Sequence, residues 1–283
     1  MGKIARASSL HTHSQFCDGA GAIEDYIRAA LDAGLPAFGA SSHMPVPWAA
    51  DYAMPLDALP AYVQEVRRLQ DSYRGQIEVY LGLELDYRPG IASFAAEHVA
   101  PAAPDYLIGS VHYIGELDGE PWSFEHSAEA FAAGYERLYN RNARRLAEDY
   151  YALVREAARV PGVSIVGHID RIKMYNDDNR FFDDGADWYR DIVDATLEDL
   201  ASVGTIVELN TAGWRRDCRS PFPGPWIVRR CAERGIPMTL SADAHTPEQV
   251  AFRFAEGADL LRAAGHTHIA VLRGGAWTYE TLE

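Results

Sequence analysis

Short runs rich in apolar and β-branched residues recur along the chain, at 5–11, 37–41, 76–84, 106–112, 164–168, 205–210, 237–242 and 268–272. Between them lie stretches whose apolar residues fall at helical spacing, among them 23–33, 59–72, 127–159, 188–202 and 225–234. Gly34, Gly162, Gly204 and Gly235 follow helical stretches as stop signals, the last three just before a strand-type run. Strand and helix alternating in this way predict parallel strands joined by right-handed crossovers. Seven or eight such units fit a barrel better than an open sheet, and the pattern alone does not choose between the two closures. No internal repeat and no low-complexity linker divides the chain, so one domain over residues 1–283 is expected.

A length of 283 residues suits such a barrel, which commonly runs to about 250 residues as one unit. With 48% hydrophobic and 24% charged residues, a sizeable core is possible and wholesale disorder is not expected. The longest apolar runs, such as 269–272, fall far short of the roughly 20 residues of a membrane span. Met1-Gly2-Lys3-Ile4-Ala5-Arg6 has no apolar core of the secretory type. Three scattered cysteines, Cys17, Cys218 and Cys231, argue against a disulfide framework and for a reducing compartment. A soluble, cytoplasmic protein is therefore expected. The formal charge of −15 repels nucleic acid unless bound cations or a basic patch reverse it locally. Arg67-Arg68 and Arg144-Arg145 sit in helical stretches and read as solvated faces, so neither nucleic acid nor membrane is expected as a partner. The sequence does not speak to the oligomeric state.

Ten histidines matter less by number than by place. His11-Thr12-His13 follows the first strand run, and residues two apart on extended backbone point to the same side. Two imidazoles can therefore converge on one cation. The same spacing recurs at Glu84/Asp86, His168/Asp170 and Asp243/His245, each at the downstream end of a strand run, while His43 and His112 stand alone at equivalent places. In barrels the functional face lies at those downstream ends. A lone histidine is more often a satisfied structural group, and an isolated HxH is weak. The chain carries its own control in His266-Thr267-His268, which precedes its apolar run and so belongs to the opposite rim, where it is given no role. His98 and His126 default to structural readings, although His126 could border a substrate pocket. Imidazole mixed with carboxylate suits Zn, Mn or Fe, and without clustered thiolates a structural zinc site is disfavoured. Cys17, beside Asp18, reads as a thiol with no coordinating role.

Taken in order, the motifs resemble the polymerase-and-histidinol-phosphatase (PHP) superfamily, most closely its histidinol-phosphate phosphatase branch. They are Leu10-His11-Thr12-His13-Ser14 with Cys17-Asp18-Gly19, Ser41-Ser42-His43-Met44-Pro45, Gly82-Leu83-Glu84-Leu85-Asp86-Tyr87 and Gly109-Ser110-Val111-His112-Tyr113. Gly167-His168-Ile169-Asp170, Glu208-Leu209-Asn210-Thr211-Ala212-Gly213 and Ser241-Ala242-Asp243-Ala244-His245 complete the set. The resemblance implies a distorted (β/α)7 TIM-like barrel, hence seven strands rather than eight, holding three divalent metal ions. It places His11, His13, Glu84 and Asp243 on a first ion. Glu84 bridges to a second with His112 and His168, and Asp18, His43 and His245 hold a third. Some members carry histidine near the position of Asp18. Glu84, Asp243 and His245 would stand at the catalytic centre, and Asp86 and Asp170 would orient ligands. Arg215 is implied as a phosphate clamp, with Lys173 or Arg171 sharing the task.

The function so implied is a metal-dependent phosphomonoesterase acting on L-histidinol phosphate, by in-line attack of a metal-activated water whose pKa falls from about 15.7 to roughly 7. Divalent ions would outweigh the carboxylates that hold them and let an acidic protein accept a phosphate dianion. Histidinol phosphate also carries an amine and an imidazole. The segment 115–126, with Glu116, Asp118, Glu120, Trp122 and Glu125, could cap the site and receive that cationic end, or be a solvated acidic loop. Three alternatives stand beside this reading. The chain could act on another small phosphate ester or nucleotide, be an amidohydrolase-like hydrolase, which would want a bridging lysine, or be a non-enzymatic metal-binding protein.

Overall fold

A computed structural model describes residues 7–282. Eleven strands lie among the described residues: β1 (Ser8–Ser9), β2 (Ala37–Ala40), β3 (Glu78–Asp86), β4 (Tyr106–Ser110), β5 (Tyr113–Leu117), β6 (Glu120–Ser123), β7 (Val163–Val166), β8 (Ile206–Asn210), β9 (Met238–Ser241), β10 (His268–Arg273) and β11 (Ala276–Thr281). Seven of them form one parallel sheet in the order β1-β2-β3-β4-β7-β8-β9. The sheet closes on itself by a bridge between Thr12 and Ala244, with His13 N donating to Ala244 O at 2.8 Å and Ala244 N to His11 O at 3.1 Å. The closure is the seven-stranded one. Ala5 and Arg6, the start of the expected first strand, lie outside the described residues.

The expected eighth strand exists but does not enter the barrel. β10 pairs antiparallel with β11 in a separate two-stranded sheet. Its Leu272 joins Leu10, Ala37, Tyr80, Tyr106, Ile108 and Ile165 in a second apolar cluster, with Trp277 of β11 packed on it. Tyr106 shows that this cluster fills the barrel interior, because its hydroxyl crosses from β4 to Leu10 O at 2.5 Å. Gly39 and Gly82 make that crossing possible: a Cβ on either would lie within 2.2 Å of the Tyr106 ring or hydroxyl. The larger core packs the other strand faces against helices α1 (Ile23–Asp32), α2 (Leu59–Ser72), α3 (Ile91–Phe94), α4 (Ala128–Tyr139), α5 (Ala143–Ala157), α6 (Asp187–Val203), α7 (Pro225–Glu233) and α8 (Phe254–Ala264). Strands covered on both faces read as continuous apolar runs. In β3, Leu81, Leu83 and Leu85 are all buried, each contributing roughly 1.5–3 kcal/mol.

Two expected elements divide further. The helix expected over 127–159 breaks into α4 and α5, because Asn140 and Arg141 take left-handed backbone (φ 46° and 60°) and the Asn142 side chain accepts from Arg145 N to start the second helix. The acidic segment after His112 is not an irregular loop but the hairpin β5–β6, turned by Asp118 and Gly119 at φ 57° and 84°. Among the described residues no helix is long and apolar enough to cross a membrane.

Candidate metal centre

Each barrel strand ends by delivering a polar side chain to one rim. His11 and His13 follow β1, His43 follows β2, Glu84 and Asp86 close β3, and His112 follows β4. His168 follows β7, Glu208 and Asn210 end β8, and Asp243 and His245 follow β9. Asp18 reaches in from the loop after β1, the one exposed member of the nine expected ligands. The structure brings all nine together in overlapping groups: His13, Asp18, His43 and His245; His11, His13 and Asp243; His11, Glu84 and His168; His43, Glu84 and His112. His168 and Asp243 reach their places from left-handed backbone, φ 24° and 49°, a strain of about 1–3 kcal/mol apiece that clusters at functional sites.

Glu84 lies at the centre. Its Oε2 is 3.2 Å from His11 Nε2, 3.3 Å from His13 Nε2 and 3.3 Å from His43 Nδ1. The other oxygen, Oε1, faces His168 Nε2 at 3.2 Å and His112 Nε2 at 3.6 Å. Asp243 Oδ1 adds contacts to His13 Nε2 at 3.1 Å and to His11 Nε2 at 3.6 Å. Asp18 stands 3.3 Å from His13 Nδ1 and 3.2 Å from His245 Nε2.

The Nε2 atoms of His11 and His13 are buried and make no hydrogen bond, although each points at two carboxylates. Leaving one partner of a buried ion pair uncompensated costs about 3–5 kcal/mol, so these carboxylates call for cations. The imidazoles facing them are held toward the charged form. Burial opposes charge on His11, but Glu208, Glu84 and Asp243 outweigh it and hold its pKa well above the ordinary histidine value. Burial likewise loses at His13 against Cys17, Asp18 and Asp243, and at His43, which Asp86 and Glu84 push up to about 9. Burial alone would raise the carboxyls of Glu84 and Asp243, yet His11 and its neighbours hold both well below the carboxylate range. His168 and His245 go the other way, lowered by burial and then by Arg171 and His13 respectively. A cluster of neutralisable nitrogens among fixed carboxylates is the donor set of a divalent-cation site.

Behind the cluster two carboxylates orient the rings. Asp86 takes His43 Nδ1 at 3.1 Å and makes a short contact with His112 Nδ1, as expected of it. Glu208, quoted in the motifs but given no role, accepts from His11 Nδ1 at 2.6 Å, His168 N at 2.8 Å and Asn210 Nδ2 at 3.0 Å. The role expected of Asp170 belongs instead to Glu208. Asp170 accepts from Lys173 Nζ at 2.7 Å and Gly224 N at 2.8 Å and makes no hydrogen bond to a ring of the cluster. Glu208→Gln, which keeps the shape and removes the charge, should lower metal affinity about 10–100-fold, read by competition with a chromophoric chelator.

Above the cluster opens a cavity of about 300 Å³, lined by Asp51, Tyr52, Tyr113, Ser123, Glu125 and His126 as well as the rim residues. Of the three cations expected at a phosphate, Arg171 lines it, buried beside Asp243 with Nη1 2.8 Å from Oδ2. Lys173 does not, because its ammonium is held by Asp170, Pro221 O at 2.9 Å and Ser220. Arg215 also falls outside the lining and donates from behind to Ala242 O at 3.0 Å and Asp243 O at 3.2 Å, bracing the Asp243 backbone. Arg216, one residue further on and given no role by sequence reasoning, is exposed at the cavity mouth. On a single turn, spacing could not tell the two arginines apart. The His266-Thr267-His268 control lies elsewhere, with His266 Nε2 3.1 Å from Val228 O.

Known proteins supply a second line. The model of the PHP domain family matches residues 9–212. A protein of Deinococcus radiodurans named "Probable histidinol-phosphatase" is 38% identical over 90% of this chain and 92% of its own length. The histidinol-phosphatase of Bacillus subtilis is 24% identical over 86% of this chain and 95% of its own. Among solved structures, the Lactococcus lactis histidinol phosphate phosphatase, complexed with zinc, L-histidinol and phosphate, superposes with a TM-score of 0.77. At 20% identity over 96% of this chain and 98% of that one, it shows a shared fold. With a rim of histidines and carboxylates on a seven-stranded barrel and a family match that runs from β1 through β8, the chain belongs to the PHP domain family.

Proposed function

We propose that the chain is a metal-dependent phosphomonoesterase that converts L-histidinol phosphate and water to L-histidinol and phosphate, a step of histidine biosynthesis. The observation that carries this reading is the division of Glu84, one oxygen facing His11, His13 and His43 and the other His112 and His168. A carboxylate so placed suits a bridge between two cations. His11, His13, Glu84 and Asp243 would hold the first ion, Glu84, His112 and His168 the second, and Asp18, His43 and His245 the third, with Zn, Mn and Fe all suited to these donors. When bound, such ions activate water and neutralise charge on phosphoryl oxygens.

The chain's own groups do the rest. Arg171 presents N–H donors to the non-bridging oxygens, and Glu208 and Asp86 hold the rings in place. Arg216 adds positive charge at the mouth, where a phosphate would enter. Among the described residues the lysine is Lys173, which Asp170 engages, so the amidohydrolase alternative finds no bridging lysine there. The nucleotide alternative finds little support at this cavity, whose lining carries five carboxylates against two arginines. A reducing cytoplasm, in keeping with the three free cysteines, is the compartment we assign.

The test is phosphate release from three esters under one condition. Histidinol phosphate should exceed a nucleoside monophosphate and a simple aryl phosphate in kcat/KM by at least about 100-fold. A preference for the nucleotide would move the chain to the other branch of its family. No release from any ester by the metal-loaded protein would end the phosphatase reading.

A further inference from the structure

The β5–β6 hairpin places in the cavity a half-buried carboxylate that the cation site does not use. Glu125 follows β6, and its main chain is pinned by the Tyr175 hydroxyl, which donates to Glu125 O at 2.6 Å. The hairpin itself is keyed into α4: Trp122 lies so close over Gly134 that a Cβ there would be 2.1 Å from the indole. Its ring also stands 6.0 Å from Phe131 and 6.2 Å from Tyr139. A side chain held this way is preorganised.

Both Glu125 oxygens meet Arg171, Oε1 with Nε at 2.5 Å and Oε2 with Nη2 at 2.7 Å, while Arg171 Nη1 goes to Asp243. A guanidinium has five N–H donors, and three are thereby engaged. Two remain for a phosphate. A carboxylate has about four acceptor positions, so Glu125 keeps capacity as well, and Oε1 is 3.9 Å from His112 Nε2 on the cavity side. The same carboxylate sits close enough to Arg171 to repel a phosphate dianion bound there. A ligand that brings its own positive charge to the Glu125 side would relieve that repulsion directly. Asp51, the other lining carboxylate outside the cation site, is exposed at the mouth, where water screens it.

We infer that Glu125 determines specificity, accepting the ammonium group of a phosphomonoester whose phosphate lies on Arg171 and turning away esters without a cationic end. This rests on the phosphatase reading and names the residue by which that site would select aminoalkyl phosphates over other esters. One acidic residue serves twice: it aims the guanidinium and it selects the cation.

The test is Glu125→Gln in the metal-loaded enzyme, assayed on histidinol phosphate and on p-nitrophenyl phosphate. The variant should lose activity on both esters through the loosened Arg171, and about 30-fold more in kcat/KM on the amine than on the aryl ester, the extra loss falling chiefly on KM. Equal losses on both esters would mean that Glu125 only positions Arg171, and no change on either would mean that it faces nothing; both results overturn the inference and leave the phosphatase reading intact. A wild-type enzyme inert on both esters would instead defeat the parent reading. Product inhibition of the wild type gives a check that needs no variant. L-Histidinol should inhibit at least about tenfold more tightly than the same alcohol without its amine, and equal inhibition would overturn the inference.

Discussion

Glu84→Ala should lower phosphate release by at least about 10³-fold and strip most of the bound metal, read as kcat/KM beside elemental analysis of the purified protein. The size follows from position. Glu84 lies between the two halves of the cluster, with His11, His13 and His43 on one oxygen and His112 and His168 on the other. Removing it takes away one donor from each of two proposed ions and leaves five imidazoles around an uncompensated gap. Glu84→Asp would keep the charge and shorten the reach, so it should recover part of the metal and less of the activity. If Glu84→Ala retained wild-type metal content and turnover, the bridging role would be wrong.

Dialysis against a strong chelator should silence the enzyme, and readdition of Zn, Mn or Fe should restore it. Ions at about a thousand times their dissociation constant stabilise a fold by about 4.1 kcal/mol, so a drop in Tm of roughly 10 °C is expected on removal. Reloading should also release protons. The surrounding carboxylates raise the pKa values of His11, His13 and His43, the last to about 9, so a cation that takes these nitrogens must displace protons at pH 7. As pH rises past about 9 the His43 proton is already gone and its share of the release disappears. Calorimetry in buffers of different ionisation enthalpy measures the number released. Full turnover by demonstrably stripped protein would refute metal dependence.

Much of the rim was legible because strand-end chemistry leaves a regular trace. A residue two places beyond another on extended chain shares its side, so the spacing of His11/His13, Glu84/Asp86 and Asp243/His245 marks a common mouth in the sequence itself. What escaped notice depended on direction in space rather than spacing. Glu208 sits inside strand β8, where the pattern reads as a buried run, and only the fold shows its carboxylate beneath His11. His168/Asp170 has the same spacing as the other pairs, yet Asp170 turns away to Lys173 because a 3-10 turn, not a strand, follows His168. The Asp118-Gly119 pair was a readable hairpin signal inside a segment whose acidity suggested a loop. Asn140 and Asn142 were similarly readable as an end and a start within one long helical pattern. The final hairpin was beyond reach, since nothing in the run 268–272 says whether its partners are parallel barrel strands or the antiparallel β11.

The closing bridge between Thr12 and Ala244 lies between the two groups of side chains that flank it, His11 and His13 on one strand end, Asp243 and His245 on the other. Those ends are about 230 positions apart in sequence, and tying so long a loop draws on entropy that only grows slowly with its length. A cation seated there would act as the clasp on a hoop, joining the first and last staves directly. Chemistry and circumference would then depend on the same few atoms.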